Sequence, residues 1–116
     1  MSWIDKKGIM DCLKQLSDKT YQERVWTAAS GPEISSYVEA MEQLYNGTGL
    51  SFAFEKGEQV FGKPIDDLLK EFRKILPTIH YMRPPMQLIE DPSMIPIRKA
   101  AAGILSLIEK QGDQKQ

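Results

Sequence analysis

Along much of this chain the apolar positions recur every three or four residues, the spacing of one buried helix face. The clearest run is Ile65, Leu68, Leu69, Phe72, Ile75, Leu76 and Ile79, with Asp66, Asp67, Lys70, Glu71, Arg73 and Lys74 between them. Pro64 suits the first helical position, where its missing N–H is not needed, and Pro77 marks the end. A second run, Ile97, Ala101, Ile104, Leu105 and Ile108, predicts the last helix, with Asp91-Pro92 as its start and Gly112 where the chain should stop. Pro96 sits one turn later, so the first turn is distorted or the regular helix begins near it. Within it, Ala100-Ala101-Ala102-Gly103 presents a thin face that lets a neighbour approach closely.

Three more helical patterns precede these. Ile9, Cys12, Leu13 and Leu16 predict a helix over about Asp5–Leu16, and Ser17 or Asp18 opens a shorter one through Tyr21, Val25 and Trp26. From about Ser35 to Asn46, Ile34, Tyr37, Val38, Met41, Leu44 and Tyr45 form a stripe, Ser36 and Glu39 have capping-box spacing, and Gly47 is the natural left-handed terminator. Thr48–Lys56 reads as another short helical turn closed by Gly57. The connector Gly57–Lys63 has Gln59-Val60-Phe61 as a candidate extended stretch, and Thr78–Pro96, with four prolines, is irregular with at most a short helical turn. The expectation is an all-α, compact single-domain bundle of five or six helices over residues 1–116, with a Pro-rich irregular connection before the last helix. Its ordered core covers about residues 3–111.

Composition narrows the functional classes. With 116 residues, of which Leu, Ile, Val and Phe make up about a quarter, the chain can bury a core without staples. Its net charge of −1 gives no general basic field for nucleic acid or an anionic membrane. Lys70, Arg73, Lys74, Arg83, Arg98 and Lys99 are scattered among acids with no aromatic stacking platform, so nucleic-acid binding has little support. One cysteine permits no intrachain disulfide, residues 1–14 are charged throughout with no secretory h-region, and no apolar run reaches membrane-spanning length. A soluble, reduced, cytoplasmic domain is expected. Asn46-Gly47-Thr48 matches a glycosylation sequon but is more simply a turn.

The candidate chemistry is sparse. His80 is the only imidazole, and Ile79, Tyr81 and Met82 beside it are not metal ligands. Cys12 lies on an apolar stripe, where a thiol packs as a small hydrophobe. Asp66 and Asp67 point about 100° apart on a helix and cannot easily converge on one ion; their place in the first turn is explained by the helix dipole. Gly47-Thr48-Gly49 lacks the Lys and the preceding strand of a phosphate loop. No catalytic residue, metal or cofactor is assigned. An enzyme would need Glu55 or Glu90 working with His80 or Tyr81, and nothing in the spacing asks for that.

Charge is uneven, however. Residues 1–24 carry net +1 and residues 63–116 net +2, whereas residues 25–62 carry Glu33, Glu39, Glu42, Glu55 and Glu58 against Lys56 alone. On a helix that exposes Glu39 and Glu42 this is a negative surface for a positively charged partner, although the same residues also suit an ordinary solvated face. Tyr37, Tyr45, Phe52 and Phe54 lie among them, and exposed rings are common binding anchors. The candidate partner-binding set is Glu33, Tyr37, Glu39, Glu42 and Tyr45. The partner expected is a protein, for example a basic toxin domain, with neither nucleic acid nor membrane, and the oligomeric state is open. The alternative is a structural or regulatory helical module that self-associates or docks a helix, with Trp3, Phe52, Phe54, Tyr81 and Met86 as candidates for its exposed apolar patch.

Four clusters resemble a family of small, functionally uncharacterised bacterial proteins: Tyr21-Gln22 with Val25-Trp26; Gly31-Pro32-Glu33-Ile34-Ser35-Ser36 with Glu39-Ala40; Leu44-Tyr45 through Gly49-Leu50; and Asp91-Pro92 with Arg98 and Ala101. The likeness covers most of residues 21–105. It implies an immunity or accessory protein of a bacterial toxin system, with no reaction or cofactor attached. Where that family often carries two acids before the Gly-Leu turn, this chain has Asn46-Gly47, which weakens any binding role for that position.

Overall fold

Two aspartates set the first two helices. α1 (Lys6–Ser17) starts after Asp5, whose carboxylate accepts the Gly8 N–H at 2.9 Å, pairing one of the donors a helix start leaves open. Asp18 ends α1 and accepts the Tyr21 N–H at 3.1 Å, opening α2 (Lys19–Tyr21), which continues as a π-helical turn over Gln22–Trp26. The computed structural model describes residues 4–26, 37–76 and 85–114. Next come α3 (Tyr37–Glu42), running into a second π-helical turn (Gln43–Gly47), then α4 (Leu50–Glu55), α5 (Ile65–Ile75), α6 (Pro85–Glu90) and α7 (Met94–Gln114). The fold is all-α, with no strand among the described residues.

The apolar stripes do what their spacing implies. Ile9, Cys12, Leu13 and Leu16 of α1, Ile65, Leu69 and Phe72 of α5, and Ile97, Ala101, Ile104, Leu105 and Ile108 of α7 belong to one buried cluster, with Leu44, Leu50 and Ile89. The long α7 is the spine, flanked by α1 and by α5. A radius of gyration of 14.1 Å is close to the roughly 13 Å expected for a compact chain of this length.

Local chemistry corrects several sequence expectations. The left-handed residue after the third helix is Gly49 (φ 83°), not Gly47, which remains inside the π-helical turn. Thr48 makes this later exit: its hydroxyl donates to the Leu44 carbonyl at 2.6 Å and accepts from the Leu50 N–H at 3.3 Å. Gly57 (φ 73°) closes α4 as its sequence implies. Gln59-Val60-Phe61 is not a strand, because the Val60 and Phe61 N–H groups are taken by the Asp66 carboxylate instead of a ladder.

Pro64 precedes the first residue of α5 rather than occupying it. Asp91 folds a tight turn, accepting the Ser93 N–H at 2.8 Å, and α7 begins at Met94, so Pro96 falls in the first turn, where a missing N–H costs no helical bond. That helix runs past Gly112 to Gln114. The Pro-rich connection also holds a short helix, α6. The expected helix start at Ser35-Ser36 and stop at Pro77, and the stripe residue Ile79, lie outside the described residues.

Candidate functional site

Glu39 and Glu42 are three residues apart on α3 and both exposed, while Ala40 and Leu44 on the other side enter the core. Glu42 is steadied by Asn46, whose Nδ2 donates to its carboxylate at 2.9 Å. Further along, Glu55 and Glu58 are exposed at the end of α4 and just beyond, with Lys56 between them. The described part of the acidic segment therefore carries its charges on the surface. Glu33 lies outside the described residues. Tyr37 opens α3, but its side chain is also outside them.

Tyr45 has to be removed from the candidate set. It is 3% exposed, its hydroxyl donates to the Leu69 carbonyl at 2.7 Å, and the Arg73 guanidinium covers its ring at 5.3 Å. The ring ties the π-helical turn after α3 to α5 and cannot anchor a partner. Phe54 is half-buried with Lys70 at 5.1 Å from its ring. Among the described side chains of the segment Phe52 is the exposed aromatic, at 53%, with Lys56 at 5.0 Å. Helical spacing alone does not say which side of a short helix the core takes, so the sequence does not divide Tyr45, Phe52 and Phe54 into buried and exposed rings.

A second surface feature is an apolar groove of about 350 Å³ between α5 and α7. Leu68, Glu71, Phe72 and Ile75 form one wall, and Ala100, Gly103, Ile104 and Leu107 the other. Leu68, which sequence places on the buried stripe, is 39% exposed here. The small Ala100 and Gly103 leave the α7 side of the groove open. A methyl group added at Gly103 would meet nothing within 4 Å among the described residues. Of the other patch candidates, Met86 is 47% exposed, whereas Trp3 and Tyr81 lie outside the described residues.

Two buried polar constructions escaped the sequence because they join distant residues. Gln22, fully buried, donates through Nε2 to the carbonyls of Gln15 at 2.8 Å and Leu16 at 3.1 Å, and its Oε1 accepts from Arg98 Nε at 3.0 Å. Arg98 also donates to the Ile89 carbonyl. Burial lowers the pKa of its guanidinium, against the opposing pull of Glu90 and Glu23. The arrangement joins the end of α1, the first π-helical turn, α6 and α7. Gln22 and Arg98, 76 residues apart in the sequence, thus meet in a structural clamp.

The second construction is Asp66, only 5% exposed, which accepts N–H groups from Val60 at 2.9 Å, Phe61 at 3.0 Å and Gly62 at 3.2 Å. It secures the connector before α5, so the helix-dipole explanation is incomplete for it.

As for bond-making chemistry, His80 and Tyr81 lie outside the described residues. Glu55 is solvated, and Glu90 is 3.5 Å from Lys19 at the surface. Cys12 is buried, and its thiol pKa is pushed up to about 12, mainly by burial and then by Asp11 and Asp5. Among the described residues there is no group of three or more His, Cys, Asp or Glu side chains placed to hold a metal, and no helix long and apolar enough to cross a membrane. The chain matches no protein-family model, no curated protein and no solved structure.

Proposed function

We propose that this chain is a non-enzymatic binding protein that occludes a basic protein partner with the acidic surface of α3 and α4, in the manner of an immunity protein that blocks a cationic toxin. One observation carries the reading: Glu39, Glu42, Glu55 and Glu58 are all exposed, with Lys56 as the one basic residue from Tyr37 to Gln59. Exposed charges of one sign attract an oppositely charged partner from a distance and raise its rate of encounter. Phe52 takes the anchoring part, since a large exposed ring can be desolvated on contact. α4 packs against the π-helical turn that continues α3, so the two acidic elements are neighbours. The mechanism is steric and electrostatic and needs no cofactor. A cytoplasmic setting and the toxin-system context belong to this proposal.

Affinity capture from the source organism supplies a partner, and the affinity of that purified partner for the wild-type chain and for a Glu39→Lys/Glu42→Lys chain tests the surface. Unchanged binding by the double reversal removes the acidic-face reading. The α5–α7 groove favours a second reading, a helical module that associates through an apolar face, and the two can hold together because they use different surfaces.

A further inference from the structure

We infer that the α5–α7 groove is a self-association surface, in which two copies of this chain pack groove to groove as two stacked helix pairs. The shape of the groove comes first. Leu68 stands out from one wall, and on the other wall a Cβ added at Gly103 would meet no described atom within 4 Å, which leaves room there for an incoming side chain. Among the described residues no neighbour within 4 Å requires a glycine there, although glycine inside a helix is unfavourable relative to alanine. A Leu68 from a second copy gives the space an occupant, and a two-fold axis fills both grooves at once.

Charge picks the second copy over an unrelated helix. On α5, Asp67 and Glu71 follow the groove wall at helical spacing on its solvent side, with Lys74 beside Glu71 at 3.1 Å. On α7, Lys99 lies four residues before Gly103 and Lys110 three after Leu107, both exposed. One rim is therefore net negative and the other net positive. A two-fold axis running along the groove lays α5 of each copy over α7 of the other, so each acidic rim meets a basic one. The face is small: two helices of about 16 Å at a spacing of about 10 Å present roughly 300–400 Å² per copy. That is well below the area of a stable dimer, so the association is weak and reversible, with a dissociation constant on the order of 10⁻⁴ M.

Sedimentation velocity on the full chain from about 10 µM to about 1 mM reads this directly. The wild type is expected to shift from monomer to dimer across that range. A Lys99→Glu/Lys110→Glu chain and an Asp67→Lys/Glu71→Lys chain should each bind itself at least about tenfold more weakly, and an equimolar mixture of the two should recover dimer. Gly103→Leu, which puts a side chain where an added Cβ meets no described atom within 4 Å, should also weaken dimerisation while the melting temperature holds or rises. Circular dichroism checks that each variant is folded. A wild type that stays monomeric at 1 mM, or a dimer that none of these variants alters, overturns the inference. Glu39→Lys/Glu42→Lys should leave the dimer unchanged, which separates this result from that of the acidic-face proposal.

Discussion

Asp66 and Asp67 are neighbours in the first turn of α5 and carry the same charge, yet the structure gives them very different work. Replacing Asp66 by Ala leaves the Val60, Phe61 and Gly62 N–H groups without their acceptor. A hydrogen bond to a charged acceptor contributes about 1.5–3 kcal/mol. The three do not simply add, because Gly62 is half-buried and water can replace part of its bond. A net loss of about 3 kcal/mol follows, which for a chain of this size lowers the melting temperature by roughly 9–15 °C. Asp67→Ala removes an exposed charge from the helix start and should cost less than about 1 kcal/mol. Urea unfolding of the two variants against wild type measures both, and hydrogen exchange at the Val60 and Phe61 amides gives a local reading that only Asp66→Ala should alter. Equal destabilisation by the two substitutions, with those amides still protected, would refute the claim that Asp66 secures the connector.

Other consequences are equally specific. Tyr45→Phe loses the hydroxyl bond to the Leu69 carbonyl and should destabilise the fold by about 1 kcal/mol, measured by urea unfolding, while leaving partner affinity unchanged. Gln22 and Arg98 share a buried bond, so a double-mutant cycle to Ala should show a coupling of 1 kcal/mol or more, whereas additivity within about 0.5 kcal/mol contradicts the clamp. Native chain should resist thiol reagents at Cys12, with labelling that follows unfolding. Between the ordinary thiol value of 9.0 and its folded value of about 12, the unfolded chain sheds the Cys12 proton while the folded chain keeps it. Stability therefore falls as pH rises through that window, by up to about 1.4 kcal/mol per pH unit, and Cys12→Ala should flatten the fall.

What the sequence disclosed and what it hid divide along one physical line. Helical spacing reports which side of a helix is apolar, and so α1, α5 and α7 and nearly all their buried residues were legible. Leu68 is the instructive exception: it keeps the period of the α5 stripe, but it lines an open groove whose other wall carries the small Ala100 and Gly103. Spacing within one helix does not report what stands across from it. Asp66 and Arg98 were hidden for a related reason, since the N–H groups and carbonyls they bind carry no sequence signature. The shift from Gly47 to Gly49 reflects the π-helical turn, whose extra residue per turn delays the exit from the helix. For the candidate surface, the exposed charges of Glu39 and Glu42 follow from the helix pattern. The exchange of Tyr45 for Phe52 as the exposed ring needed the packing of α4 and α5 around the π-helical turn.

The most direct test of the central claim is the association rate and affinity of the captured partner with wild-type chain and with Glu39→Lys/Glu42→Lys, measured at low and at high salt. If the acidic surface recruits a basic partner, reversal slows association and weakens binding by at least about tenfold at low salt, and added salt narrows the gap between the two chains. Equal rates and affinities for two well-folded chains at low salt would contradict it.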